Sequence, residues 1–195
     1  MRLFVAAEVA PAAIDAAQRT IAELKTRAAT LAPDARITWI PSPLMHLTVR
    51  FIGSVPEAEV PSISALLKKA IDLNPFDLTL SGIGTFPDRG TPRVIWAGIS
   101  AGVDELVKVE VEVSARLQQA GIPQDDRIFS PHLTLGRVRE GAGLRSSSLL
   151  AGLDELELGT TRVEAITLFE SRLSPKGPTY VPLQRTPLWK KPSLS

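Results

Sequence analysis

Apolar positions recur every third or fourth residue in some stretches of this chain and every second residue in others, which predicts helices interleaved with strands. Residues 2–9, RLFVAAEV, read as a strand. Pro11 suits the first turn of a helix, and Ile14, Ala17, Ile21, Leu24 and Ala28 carry its apolar stripe over residues 11–30. Pro33 and Asp34 mark a loop, and residues 37–40 form a short strand that Pro41 and Pro43 stop. Residues 45–52, MHLTVRFI, alternate: His46, Thr48 and Arg50 point one way, Leu47, Val49 and Phe51 the other. A second helix is predicted over 57–72 and strands over 76–83 and 94–100, with a turn-rich loop from Gly84 to Arg93 between those strands.

The second half repeats this order. A helix is predicted over 103–120, with Leu106, Val109, Val113 and Leu117 on one side and Gly121 and Pro123 ending it. A loop leads to His132 and a second alternating strand, HLTLGRV. A short helix near 149–156, a strand over 162–170 and a last strand from Tyr180 to Leu183 complete the pattern. Each half thus offers a helix followed by a strand that carries His-Leu-Thr, which predicts a body of two pseudo-twofold α+β lobes. Residues 1–186 are read as one bilobal domain and 187–195 as a loosely held tail.

Composition narrows the chemistry. The net charge of +1 supplies no general field for nucleic acid, so any RNA contact is expected to be local, at a cleft. The absence of cysteine excludes disulfides, thiolate nucleophiles and Cys-ligated zinc. The N-terminus lacks a basic region followed by a long apolar core, and no stretch has the apolar length of a membrane span. A soluble, cytoplasmic monomer without metal or cofactor is the expectation.

The chain has two histidines, and both stand in one context: PLMHLTV at 43–49 and PHLTL at 131–135. By chance, Leu-Thr follows a given histidine on the order of once in a hundred times or less. Residues i and i+2 of a strand share a face, so each motif presents an imidazole and a hydroxyl while its leucine anchors the other side. Strands lying side by side bring the imidazoles to face each other across a groove, where Thr48 and Thr134 can hydrogen-bond a phosphate. Histidine titrates near neutrality, so one imidazole can take a proton from water while the other gives one to a departing oxygen. The two threonines are also good strand formers and need no further role. Arg50 shares the face of His46 and can meet the same anion or pair at the surface. Arg137 has the opposite parity to His132 and reaches that face only across a bulge. Phe129 and Tyr180 are candidates to stack on a base, with a core role as the alternative. Arg89 and Arg93 flank a solvated turn.

The paired motifs, HLTV at 46–49 and HLTL at 132–135, resemble the two-histidine phosphoesterase superfamily, and within it the LigT-like RNA 2′,3′-cyclic phosphodiesterases. Further similarities are RLFVAAEV, HLTVRFIG, TFPDRGTPRVIWAGI, FSPHLTLGRV and ITLFESRLSPKGPTY. The resemblance implies a bilobal LigT-like fold, with two antiparallel sheets flanked by helices and a central groove. It implies hydrolysis of RNA ending in a 2′,3′-cyclic phosphate to a 2′-phosphate, with His46 as proton donor and His132 as acceptor. Family members often have Ala-Arg where this chain has Gly136-Arg137. Two other readings stand beside this one. They are a non-catalytic RNA-end-binding module, and the same chemistry on a small cyclic phosphate or in reverse as 2′–5′ joining.

Overall fold

The computed structural model describes residues 1–175 and 177–189. Strands β1 (Arg2–Ala7), β2 (Arg36–Trp39) and β3 (Leu47–Ser54) alternate with helix α1 (Pro11–Leu31), and α2 (Val60–Lys68) follows. Next come β4 (Phe76–Phe86), β5 (Val94–Ala101), α3 (Val103–Gln119) and β6 (Leu133–Glu140). A one-turn helix α4 (Ser146–Leu149) then leads to β7 (Glu157–Val163), β8 (Ala165–Ser174) and β9 (Gly177–Pro187).

The strands form one curled antiparallel sheet in the order β7-β4-β5-β6-β3-β1-β8-β9, with β2 on the free length of β6. Its two halves meet at a single residue pair, Leu47 with Leu133, between the two His-Leu-Thr strands. The halves have matching wiring. β1, α1 and β3 correspond to β5, α3 and β6, and the β8–β9 pair corresponds to β4–β7. The helices cross over between them. Helix α1 leaves β1 and packs on β7, α4 and β6, whereas α3 leaves β5 and packs on β3. Each half of the sheet is therefore covered by a helix that starts in the other half. Ala13, Ala17, Ile21 and Leu24 on α1, and Leu106, Val109, Val113 and Leu117 on α3, are buried at the three- and four-residue spacing read from the sequence.

Some boundaries differ from expectation. The strand predicted over 162–170 is two strands at opposite ends of the sheet: β7 pairs with β4, β8 pairs with β1, and the chain turns at Glu164. Strand β7 hides its alternation, because Gly159 sits at φ 108° and the register slips beside it. The predicted loop 84–93 starts late, since Gly84–Phe86 continue β4 and pair with Val94–Trp96. The short helix sits earlier than 149–156 and the last strand is longer than 180–183. The loosely held tail does not begin at residue 187. Leu188 is buried, its amide bonds Glu164, and the Trp189 amide bonds Ile71. Residues 190–195 lie outside the described residues.

Gly136 is explained by its neighbour across the β2–β6 ladder. A methyl at this position would lie 2.9 Å from the Trp39 ring and 3.3 Å from Ile37, so the indole occupies the volume that an alanine side chain would need.

Candidate active site

Both histidines sit one residue before their strands, and the same local bond orients each. The short 3₁₀ turn Ser42–Leu44 leaves the Leu44 carbonyl 2.8 Å from His46 Nδ1, and the Ser130 carbonyl lies 2.7 Å from His132 Nδ1. A carbonyl can only accept, so Nδ1 carries the hydrogen in both rings and Nε2 is the working nitrogen. Leu47 and Leu133 are fully buried on one side of the sheet, which turns the flanking His and Thr side chains to the other. The antiparallel pairing of Leu47 with Leu133 sets His46 beside Thr134 and Thr48 beside His132. The four predicted residues therefore share one face at the seam between the halves.

Each imidazole is seated among aromatic rings. His46 packs on Phe4 at 4.8 Å and takes the edge of Tyr180 at 5.1 Å. His132 meets Phe86 edge-on at 5.2 Å and lies 6.4 Å from Trp96. Burial among these rings pushes both imidazoles below the usual 6.5, the carbonyl bonds oppose that shift, and the Arg137 charge adds to it. His46 also feels the charge of His132, as two neighbouring cations would.

Two bulges decide what else reaches this face. On β6, Thr134 pairs with Trp96 but Gly136 with Ile95, so Leu135 is an extra residue. Parity flips there, and Arg137, paired with Val94, emerges on the face of His132 and Thr134. On β3, Thr48 pairs with Ala6 but Arg50 with Val5, so Val49 is the extra residue. The same flip carries Phe51, paired with Phe4, onto the site face and turns Arg50 behind the sheet.

The expectation that Arg50 binds substrate is thus corrected. Its side chain is 5% exposed, donates to the Pro123 carbonyl at 2.5 Å and lies 3.5 Å from the Asp125 carboxylate. Asp125 is also gripped by Arg127, which together with Arg50 holds its carboxyl down at about 2. Arg50 anchors the loop that leads to His132 and touches no reacting group. Arg50→Met is expected to cost about 1–3 kcal/mol of stability, the usual loss when buried polar partners are left unpaired. Its KM should stay near that of the parent protein, and thermal melts with steady-state kinetics check both. Phe129 is half-buried and packs against the core. Tyr180 does join the site, against His46. Arg89 is exposed in its turn. Arg93 lines a separate cleft with Arg139 beyond Phe86.

Sequence reasoning underrated Arg137 and missed Phe51. A usable signal was present: each lies five residues after its histidine, in HLTVRF and HLTLGR. Phe51 is 41% exposed, with the Arg2 guanidinium 5.1 Å from its ring centre. Among the described residues neither Arg2 nor Arg137 has a carboxylate partner, so this face is cationic on a nearly neutral chain.

The model of the LigT like Phosphoesterase family matches residues 13–96 and 99–180, one segment for each histidine. The chain belongs to the LigT-like phosphoesterase family. Its relatives in this family include the RNA 2′,3′-cyclic phosphodiesterase of Thermus thermophilus, 37% identical over 162 residues, 75% of this chain and 74% of the relative. The RNA 2′,3′-cyclic phosphodiesterase of Thermotoga maritima is 30% identical over 181 residues, 92% of this chain and 91% of the relative. Among solved structures, TT0787 of Thermus thermophilus superposes with a TM-score of 0.70 at 30% identity, covering 96% of this chain and 98% of that one. E. coli LigT complexed with 3′-AMP has the same LigT-like fold, with a TM-score of 0.70 at 24% identity over 96% of this chain and 97% of that one.

Proposed function

We propose that this phosphoesterase opens the 2′,3′-cyclic phosphate at the end of an RNA and leaves a 2′-phosphomonoester. The observation that carries the reading is the matched pair of imidazoles, each fixed through Nδ1 to a carbonyl two residues upstream, on one face of the seam. The relatives' activity on RNA 2′,3′-cyclic phosphates supports the substrate class.

The proposed steps use that geometry, with the roles of the two histidines assigned as the family resemblance implies. The phosphoryl group rests between the rings, with its free oxygens toward Thr48, Thr134 and Arg137. Neutral His132 takes a proton from water through Nε2 as the water attacks phosphorus. Protonated His46 gives its Nε2 proton to O3′ as the P–O3′ bond breaks on the opposite side. The phosphate thus remains on O2′. The guanidinium of Arg137 offsets the charge that builds on the phosphoryl oxygens. The exposed ring of Phe51 and the edge of Tyr180 border the ribose side, where a base can stack. The reading takes the chain through Trp189 as one catalytic body that works as a cytoplasmic monomer.

Product analysis on a cyclic-ended oligonucleotide tests it. A 2′-phosphate is expected, at a rate that EDTA leaves unchanged. A 3′-phosphate, or strict dependence on an added metal, contradicts the proposed roles of the histidines.

A further inference from the structure

The cleft beyond Phe86 holds about 730 Å³ and lies between the loop 87–93 and the end of β6. It adjoins the active site, because Phe86 pairs with Val94 and Val94 with Arg137, in one row across β4, β5 and β6. Arg139 stands two residues beyond Arg137 and shares its face, and Arg93 joins it in the wall. Both arginines are exposed, and among the described residues neither has a carboxylate partner. The described lining of the cleft holds no acidic side chain, and Glu140, next in the chain, is occupied by Arg36 at 3.4 Å. The wall is firmly mounted. The Arg93 amide donates to the Phe86 carbonyl at 2.7 Å, and its carbonyl accepts from the Val138 amide at 2.9 Å. The buried Ser146 donates to the Gly90 carbonyl at 3.3 Å, and the Thr85 hydroxyl to that of Pro87 at 2.9 Å. At the outer end a methyl on Gly141 would lie 2.1 Å from Thr91, so loop and strand meet there. Arg139 Nε lies 3.4 Å from the Thr38 hydroxyl, which leaves its terminal nitrogens to donate elsewhere. A fixed cationic wall beside the partly exposed ring of Phe86 is the composition of a groove for single-stranded nucleic acid.

The shape of the ribose decides which part of a strand arrives here. In a 2′,3′-cyclic end the base leaves the sugar from C1′, beside C2′, and the chain leaves through C4′, beside C3′. Base and chain therefore depart toward opposite ends of the ring. Strands β3 and β6 run in opposite directions from their shared pair, Leu47 with Leu133. Phe51 on β3 and the arginines 137 and 139 on β6 thus lie at opposite ends of the site. His46 precedes Leu47, so it stands toward the Arg137 end, and His132 stands toward the Phe51 end. With O3′ leaving at His46, C4′ and the chain head toward Arg139, while C1′ carries the base toward Phe51. Arg137 is taken up by the reacting phosphoryl group. The next anions along the strand are its internucleotide phosphates.

We propose that this cleft binds the two internucleotide phosphates next to the cyclic end, through Arg139 and Arg93, so that the enzyme selects the end of a strand over a free cyclic nucleotide. The inference rests on the phosphodiesterase reading above and adds the length of strand that the enzyme recognises. Neither arginine touches the reacting group, so the preference belongs in KM and not in kcat.

The test compares adenosine 2′,3′-cyclic phosphate with a cyclic-ended adenosine trinucleotide, neither bearing a 5′-phosphate, over a range of salt concentrations. For the trinucleotide kcat/KM is expected to be about tenfold higher, the scale of two exposed ion pairs together. Its logarithm should also fall more steeply with the logarithm of salt, by about 1.4, at about 0.7 for each phosphate neutralised on a single strand. The double variant Arg93→Gln with Arg139→Gln should erase both differences by raising KM for the trinucleotide. It should turn over the mononucleotide as the parent protein does, which shows that it folds. Equal kcat/KM for the two substrates in the parent protein overturns the subsite and leaves the phosphodiesterase reading standing. So does a length preference and salt slope that survive the double variant. Turnover of neither substrate by the parent protein overturns both.

Discussion

Replacing His132 or His46 with alanine lowers turnover of a cyclic-ended RNA by about 10²–10⁴-fold each, the contribution of one positioned proton transfer. Both variants should still melt cooperatively, because neither ring belongs to the buried apolar set that holds the sheet to its helices. The double variant should be scarcely slower than the worse single one, since a displacement that lacks either proton transfer already proceeds by a poorer route. Rapid-quench kinetics with thermal melts checks all three proteins. Turnover near that of the parent in either single variant contradicts the paired mechanism.

Arg137→Ala is expected to lose about 10²–10³-fold in kcat, the scale on which a single charge-stabilising donor acts. It should also move the pH profile. In the free enzyme one imidazole must be protonated and the other neutral, so kcat/KM follows a bell whose two limbs are the two histidine titrations. Burial first and Arg137 later in order of effect lower both, so the bell of the parent protein should lie on the acid side of 6.5. Removing the guanidinium removes one cause that favours the neutral rings. Both limbs should then shift to higher pH, toward the ordinary imidazole value. Arg137→Lys keeps the charge but not the planar fork, so it should hold the limbs in place while restoring only part of the rate. A loss of rate with no shift in the limbs would mean that Arg137 stands farther from the rings than this account requires.

Much of this was legible from the chain. The helices α1 and α3 announce themselves through residues such as Ile21, Leu24, Val109 and Leu117, because a buried stripe needs three- and four-residue spacing. The repeated His-Leu-Thr was legible for a different reason: two rare residues in one rare context mark a duplicated local structure. What stayed hidden depended on register. Strict alternation puts Arg50 with His46 and sets Arg137 against His132. One extra residue on each strand, Val49 and Leu135, reverses both assignments. A bulge is fixed by how neighbouring strands pair, and β1 and β5 are remote in sequence from the strands they adjust. Strand β7 was lost similarly, since Gly159 breaks the pattern that would have revealed it.

Nitrogen NMR of the two imidazoles reaches the shared phosphoryl site most directly, because the chain contains only these two histidines and the signals cannot be confused. As a 2′-nucleotide is titrated in, both Nε2 resonances should move together with one dissociation constant while both Nδ1 stay protonated. Movement of one ring alone, or of neither, would contradict it.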